Sequence, residues 1–123
     1  MSTSNLIDRY CQAWSEPDAT LRAELLGSVW AVGATYTDPS IHTVNANELL
    51  VHIKKVQARR PGAKVLRTSR VDEHHKIARF AWHVIQADGT VLPEGIDIAI
   101  ISPDGTKIER IIGFFGPLPR ELE

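Results

Sequence analysis

Little in this sequence announces a function, and each shortage excludes something. Cys11 is the only cysteine among 123 residues, so no internal disulfide can form, which fits a reducing compartment. No apolar run approaches the roughly 20 residues that span a bilayer. Met1-Ser2-Thr3-Ser4-Asn5 lacks the basic start and apolar stretch of a secretory signal, and a cytoplasmic location is expected. A formal charge of -1 leaves no basic surplus to draw nucleic acid or an anionic membrane. There is no phosphate-cradling glycine loop and no dinucleotide fingerprint, so no cofactor is expected. The five histidines include no pair at zinc-like spacing with a third ligand nearby, and no metal site is expected.

What remains is an ordinary globular composition, 43% hydrophobic and 24% charged, in a length suited to one domain over residues 1–123 with a real core. Three helices come first. Ser4 or Asn5 can cap a segment reaching about Trp14, with Ile7, Tyr10, Cys11 and Trp14 at helical spacing. Ser15-Glu16-Pro17-Asp18 restarts the chain, with Ser15 as cap, before Leu21, Leu25, Leu26 and Val29. Ala34 to Asp38 reads as a short strand stopped by Pro39. Asn45 to Glu48 opens a third helix whose stripe is Leu49, Leu50, Ile53 and Val56. Arg59 and Arg60 complement its C-terminal dipole, and Pro61-Gly62 end it.

From residue 63 the period becomes two. Lys64–Val71, Ile77–Ala87, Val91–Ser102 and Lys107–Phe115 are four strand candidates. Asp88-Gly89 and Pro103-Asp104-Gly105 are turn signals, and short connections make antiparallel neighbours. Pro93 and Gly95 point to an edge or a bulge, and so to a bend. The expected architecture is α+β: three N-terminal helices packed on a strongly curved, mainly antiparallel sheet that encloses a pocket. Ile96, Ile98 and Ile100 project from one face of their strand, and Asp97, Ala99 and Ile101 from the other. Both faces are largely apolar, so the sheet is expected to pair with a second copy of this chain.

Element order and four short motifs give this chain a family likeness. The motifs are Arg9-Tyr10-Cys11-Gln12-Ala13-Trp14, Ala34-Thr35-Tyr36-Thr37-Asp38-Pro39, Glu94-Gly95-Ile96-Asp97 and Gly113-Phe114-Phe115-Gly116. The chain resembles the nuclear transport factor 2-like superfamily from about Leu6 to Pro117, within it the SnoaL-like proteins and ketosteroid isomerases. The resemblance implies a cystatin-like α+β cone with a pocket between sheet and helices. Ketosteroid isomerases use a tyrosine on the first helix, an aspartate followed by proline, and an aspartate on a later strand. Tyr10, Asp38 and Asp97 match those places in order and context.

The resemblance implies a cofactor-free isomerase or cyclase acting on a small hydrophobic ketone or polyketide-like ring. Asp38 would remove a proton beside the carbonyl, and Tyr10 with a protonated Asp97 would hold the enolate oxygen. An apolar setting raises a carboxylate's pKa and favours that protonated form. Structural readings stand beside these roles. Asp38 can simply close a strand and accept backbone N–H groups; Tyr10 can be core; Asp97 can pair with Arg79 or Arg110. Trp14, Trp30, Phe80 or Trp82, and Phe115 are candidate pocket walls. Tyr36 shares a strand face with Asp38 and can replace Tyr10 as donor, and His42 can reach the pocket mouth as acid or base. A non-catalytic ligand-binding or dimeric module is the alternative, and epoxide hydrolysis a further one.

Overall fold

The computed structural model describes residues 1–122. Helix α1 runs Thr3–Ser15, α2 Ala19–Gly27 and α3 Ala46–Arg59. Caps decide their starts. The Ser2 hydroxyl accepts the Asn5 N–H at 3.1 Å, so α1 begins before Ser4. Asp18 accepts the Leu21 N–H at 2.9 Å and takes the cap expected at Ser15. Ser15 instead closes α1: its hydroxyl donates to the Cys11 carbonyl at 3.1 Å and accepts the Val65 N–H at 2.9 Å. At α3 the cap resembles a capping box, with the return bond one residue earlier. Asn45 accepts the Glu48 N–H, and the Glu48 carboxylate accepts the Val44 N–H, both at 2.9 Å.

The strands are β1 Trp30–Asp38, β2 Ile41–Thr43, β3 Lys64–Arg67, β4 Asp72–His74, β5 Ile77–Ile85, β6 Gly95–Ile101 and β7 Ile108–Phe115. They form one open, mixed sheet in the order β2-β1-β7-β6-β5-β3, with β4 also on β5. β5, β6 and β7 make the antiparallel meander, whereas β1 lies parallel to β7. β6 starts at Gly95 rather than Val91. Pro93 has no N–H to give a ladder, and Val91 keeps only an isolated bridge to Ile85.

Burial settles which strand parity faces inward. Ala78 and Phe80 of β5 and Asp97, Ala99 and Ile101 of β6 are buried. Ala78, Phe80, Ala99 and Ile101 join one core cluster with Leu6 and Ile7 of α1, Leu49 and Ile53 of α3, and Ile108 and Ile111 of β7. On the opposite face Ile96 pairs with Phe114, Ile98 with Ile112, and Ile77 with Ile100. Ile77, Ile96 and Phe114 are exposed there. Among the described residues no helix is long and apolar enough to cross a membrane.

Candidate active site

A cavity of about 470 Å³ is lined by side chains from α1, α3 and five strands. That volume suits a small organic ligand. Tyr10, Asp38 and Asp97 all line it. They arrive from α1, the end of β1 and the middle of β6.

Asp38 is held by four donors. Its Oδ1 accepts the Ser40 N–H and hydroxyl, both at 2.7 Å, and the Ile41 N–H at 3.1 Å. Its Oδ2 accepts the Tyr36 hydroxyl at 2.5 Å. The strand-closing role and the cavity position therefore coexist: Oδ1 is used up by the turn after Pro39, and Oδ2 carries a single donor. Burial, then the bond and charge of Asp38, push the Tyr36 phenol far above its ordinary range, so it stays protonated.

Asp97 is 5% exposed, and no ion pair to an arginine is found for it among the described residues. Arg79 projects to solvent and pairs with Asp72 at 2.8 Å. The Asp97 Oδ1 instead accepts the Trp82 indole N–H at 2.8 Å, and Oδ2 accepts nothing among the described residues. Burial pushes the carboxyl up to about 7, against the Trp82 bond and with help from the Asp38 charge. At neutral pH its protonated form is well populated, as an oxygen-holding donor requires.

Two glycines make this arrangement possible. A Cβ at Gly113 of β7 would lie 2.8 Å from Asp97 Oδ1 and 3.6 Å from Asp38 Cβ. A Cβ at Gly95 would run into the Trp82 indole. The first glycine leaves room between the carboxylates. The second lets the indole lie against β6 and reach Asp97.

The remaining expected residues divide. Trp14, Tyr36, Trp82 and Phe115 line the cavity. Trp30 is 5% exposed, stacks on Tyr10 with ring centroids 5.8 Å apart and lies behind the lining. His42 is exposed and bonds the Thr37 hydroxyl at 2.6 Å, outside the lining. Tyr10 is 2% exposed, and burial first, then the nearby Asp97, raise its phenol well above the ordinary value. It is a donor at any ordinary pH.

His52 enters the site without having been singled out. It is buried on α3, with its ring 5.8 Å from Trp14 and 6.2 Å from Tyr36. Desolvation pushes it below its ordinary value, against the Asp38 charge, and so favours neutral imidazole. Its signal was spacing: His52, Val56 and Arg59 follow one helical stripe into the cavity. Among the described residues no group of three His, Cys, Asp or Glu side chains could hold a metal ion.

No family model matches the chain, and no curated protein does. Solved structures match nearly all of it. One is an isomerase candidate of the SnoaL-like family from Agrobacterium tumefaciens, 26% identical, with TM-score 0.85, covering 93% of this chain and 97% of that one. A second is a nuclear transport factor 2-like protein of unknown function from Exiguobacterium, 20% identical, with TM-score 0.72, covering 92% and 99%. A third, from Catenulispora acidiphila, has a ketosteroid isomerase-like fold and was solved with trimethylamine. It is 11% identical, with TM-score 0.72, covering 94% and 88%. This chain has the nuclear transport factor 2-like fold.

Proposed function

We propose that this protein is a cofactor-free enzyme that moves a proton beside the carbonyl of a small hydrophobic ketone or polyketide-like ring, as an isomerase or cyclase. The observation that carries the reading is that Tyr10, Asp38 and Asp97 line one largely apolar cavity. Asp38 Oδ2 takes the proton from the carbon next to the carbonyl. The electron pair moves onto the carbonyl oxygen as the enolate forms. Tyr10 and protonated Asp97 donate to that oxygen, and Asp38 returns the proton at another carbon. Trp14, Trp82 and Phe115 supply apolar wall. Epoxide hydrolysis gains no support, because Gly113 rather than a guanidinium separates the two carboxylates.

The test is conversion of a β,γ-unsaturated cyclic ketone to its conjugated isomer, followed by ultraviolet absorbance. Wild-type protein converts it, and Asp38→Asn loses about 10²–10⁴-fold in rate with an unchanged circular dichroism spectrum. Ligand uptake with no conversion, indifferent to Asp38→Asn, would favour a binding module instead. The apolar face formed by Ile77, Ile96, Ile98, Ile100, Ile112 and Phe114 fits a homodimer through the sheet. The native mass should be twice 13.7 kDa, falling to one copy in Ile98→Lys.

A further inference from the structure

The cavity has a second polar end. Arg59 and Arg60, in and just after the last turn of α3, also line it. A basic pair there is commonly explained by the helix dipole, but that role does not require either side chain to line a cavity. Arg60 Nη1 donates to Gln86 Oε1 at 3.1 Å, which ties it across to the chain just after β5. Arg59 has no hydrogen-bond or ion-pair partner among the described residues. Among the described residues, the only carboxylates in the lining are Asp38 and Asp97.

Two rulers give the separation of the ends. Along α3, His52 lies beside Tyr36, and so beside Asp38, while Arg59 follows two turns later, about 10 Å along the axis. Along β5, Trp82 marks Asp97 and Gln86 marks Arg60, and that stretch of extended chain spans about 13 Å. Between them the wall is apolar, from Val56, Val65 and Val84. The cavity therefore offers proton chemistry at one end, an apolar middle and guanidinium donors at the mouth.

We propose that Arg59 and Arg60 form an anion subsite, and that the ligand is an apolar ketone carrying a carboxylate about 10 Å from its reacting carbonyl. The inference rests on the proton-transfer reading for the identity of the reacting end. It adds what the other end of the substrate must be. Guanidinium groups suit it because they present paired N–H donors to a carboxylate.

The probes are 9-oxodecanoic acid and its methyl ester, with binding followed by tryptophan fluorescence at low salt. Wild-type protein should bind the acid about tenfold more tightly than the ester. Arg59→Gln/Arg60→Gln should lose that tenfold for the acid and less than threefold for the ester. Arg59→Gln alone, at an exposed and unpartnered side chain, gives a second folded variant with part of the loss. Equal affinities in wild type, no binding of the acid, or a preference that survives the double substitution would each overturn the proposal. Asp38→Asn separates it from the catalytic reading, because that variant should keep the preference for the acid while losing proton exchange at the ketone. Exchange without the preference sinks the subsite alone, and preference without exchange sinks the chemistry alone.

Discussion

Asp38 and Asp97 stand on either side of Gly113, one on each strand flanking β7, and the missing side chain of that glycine is what leaves room between them. The proton on Asp97 responds to its neighbour. The charge of Asp38 helps to keep a proton on Asp97, and burial does the larger part. One can serve as base while the other remains a donor. In the proposed reaction the pair would divide labour through position in the sheet rather than through different side-chain chemistry.

Gly113→Ala tests that spacing. The added methyl would meet Asp97 Oδ1 at 2.8 Å, which is too close without a shift. Turnover should fall at least tenfold, while stability drops by only about 1–3 kcal/mol, the ordinary cost of overpacking. Rate and thermal melting measured on the same sample check both numbers. Unchanged turnover would show that the gap is not used.

The state of Asp97 sets a pH dependence. Its carboxyl sits at about 7 in the folded chain, above its ordinary 3.8, mainly through burial. The folded state thus holds a proton that the unfolded state releases. Stability from this group is full below about pH 4 and is lost as pH rises through about 7, a loss on the order of 4 kcal/mol. Turnover should fall over the upper part of the same window, as the donor becomes an acceptor. Asp97→Asn should flatten the stability profile, and denaturant melts from pH 4 to pH 8 measure it.

Trp82 opposes the burial effect by donating its indole N–H to Asp97. In Trp82→Phe the carboxylate loses that donor, so the Asp97 carboxyl should rise further. The descending limb of the pH–rate profile should then move to higher pH. A limb that stays in place, in a folded variant, would mean that another group controls it.

Much of this was legible in the sequence because the signals were local. Asn45 through Glu48 write a capping-box-like start, and both side chains do cap the helix, Glu48 at the N–H of Val44. The Asp38-Pro39 strand end and the alternation around Asp97 likewise led to side chains that line one cavity. The failures also have local causes. Ser2 and Asp18 took caps read at Ser4 or Asn5 and at Ser15, since neighbouring polar residues compete for the same free N–H groups. β2 and β4 have three residues each, too few to show a period. β1 starts at Trp30, but its pairing with β7 shifts between Trp30 and Thr35, which hid its first half.

The site was less legible where it depends on neighbours far apart in sequence. Gly95 and Gly113 matter for what a side chain would strike, and that requires knowing which strand lies beside which. His52 sits in an apolar helical stripe, where a histidine reads as core. Trp30 and His42 show the converse: an aromatic ring and an imidazole near the right motifs, one behind the lining and the other outside it.

The most direct test of the account is hydrogen–deuterium exchange at the carbon beside the carbonyl of a bound cyclic ketone, followed by proton NMR in deuterated buffer. Wild-type protein should speed loss of that proton signal, and Asp38→Asn should slow it by about 10²–10⁴-fold with the fold intact. Equal exchange rates in the two proteins would contradict the assignment of Asp38 as the base.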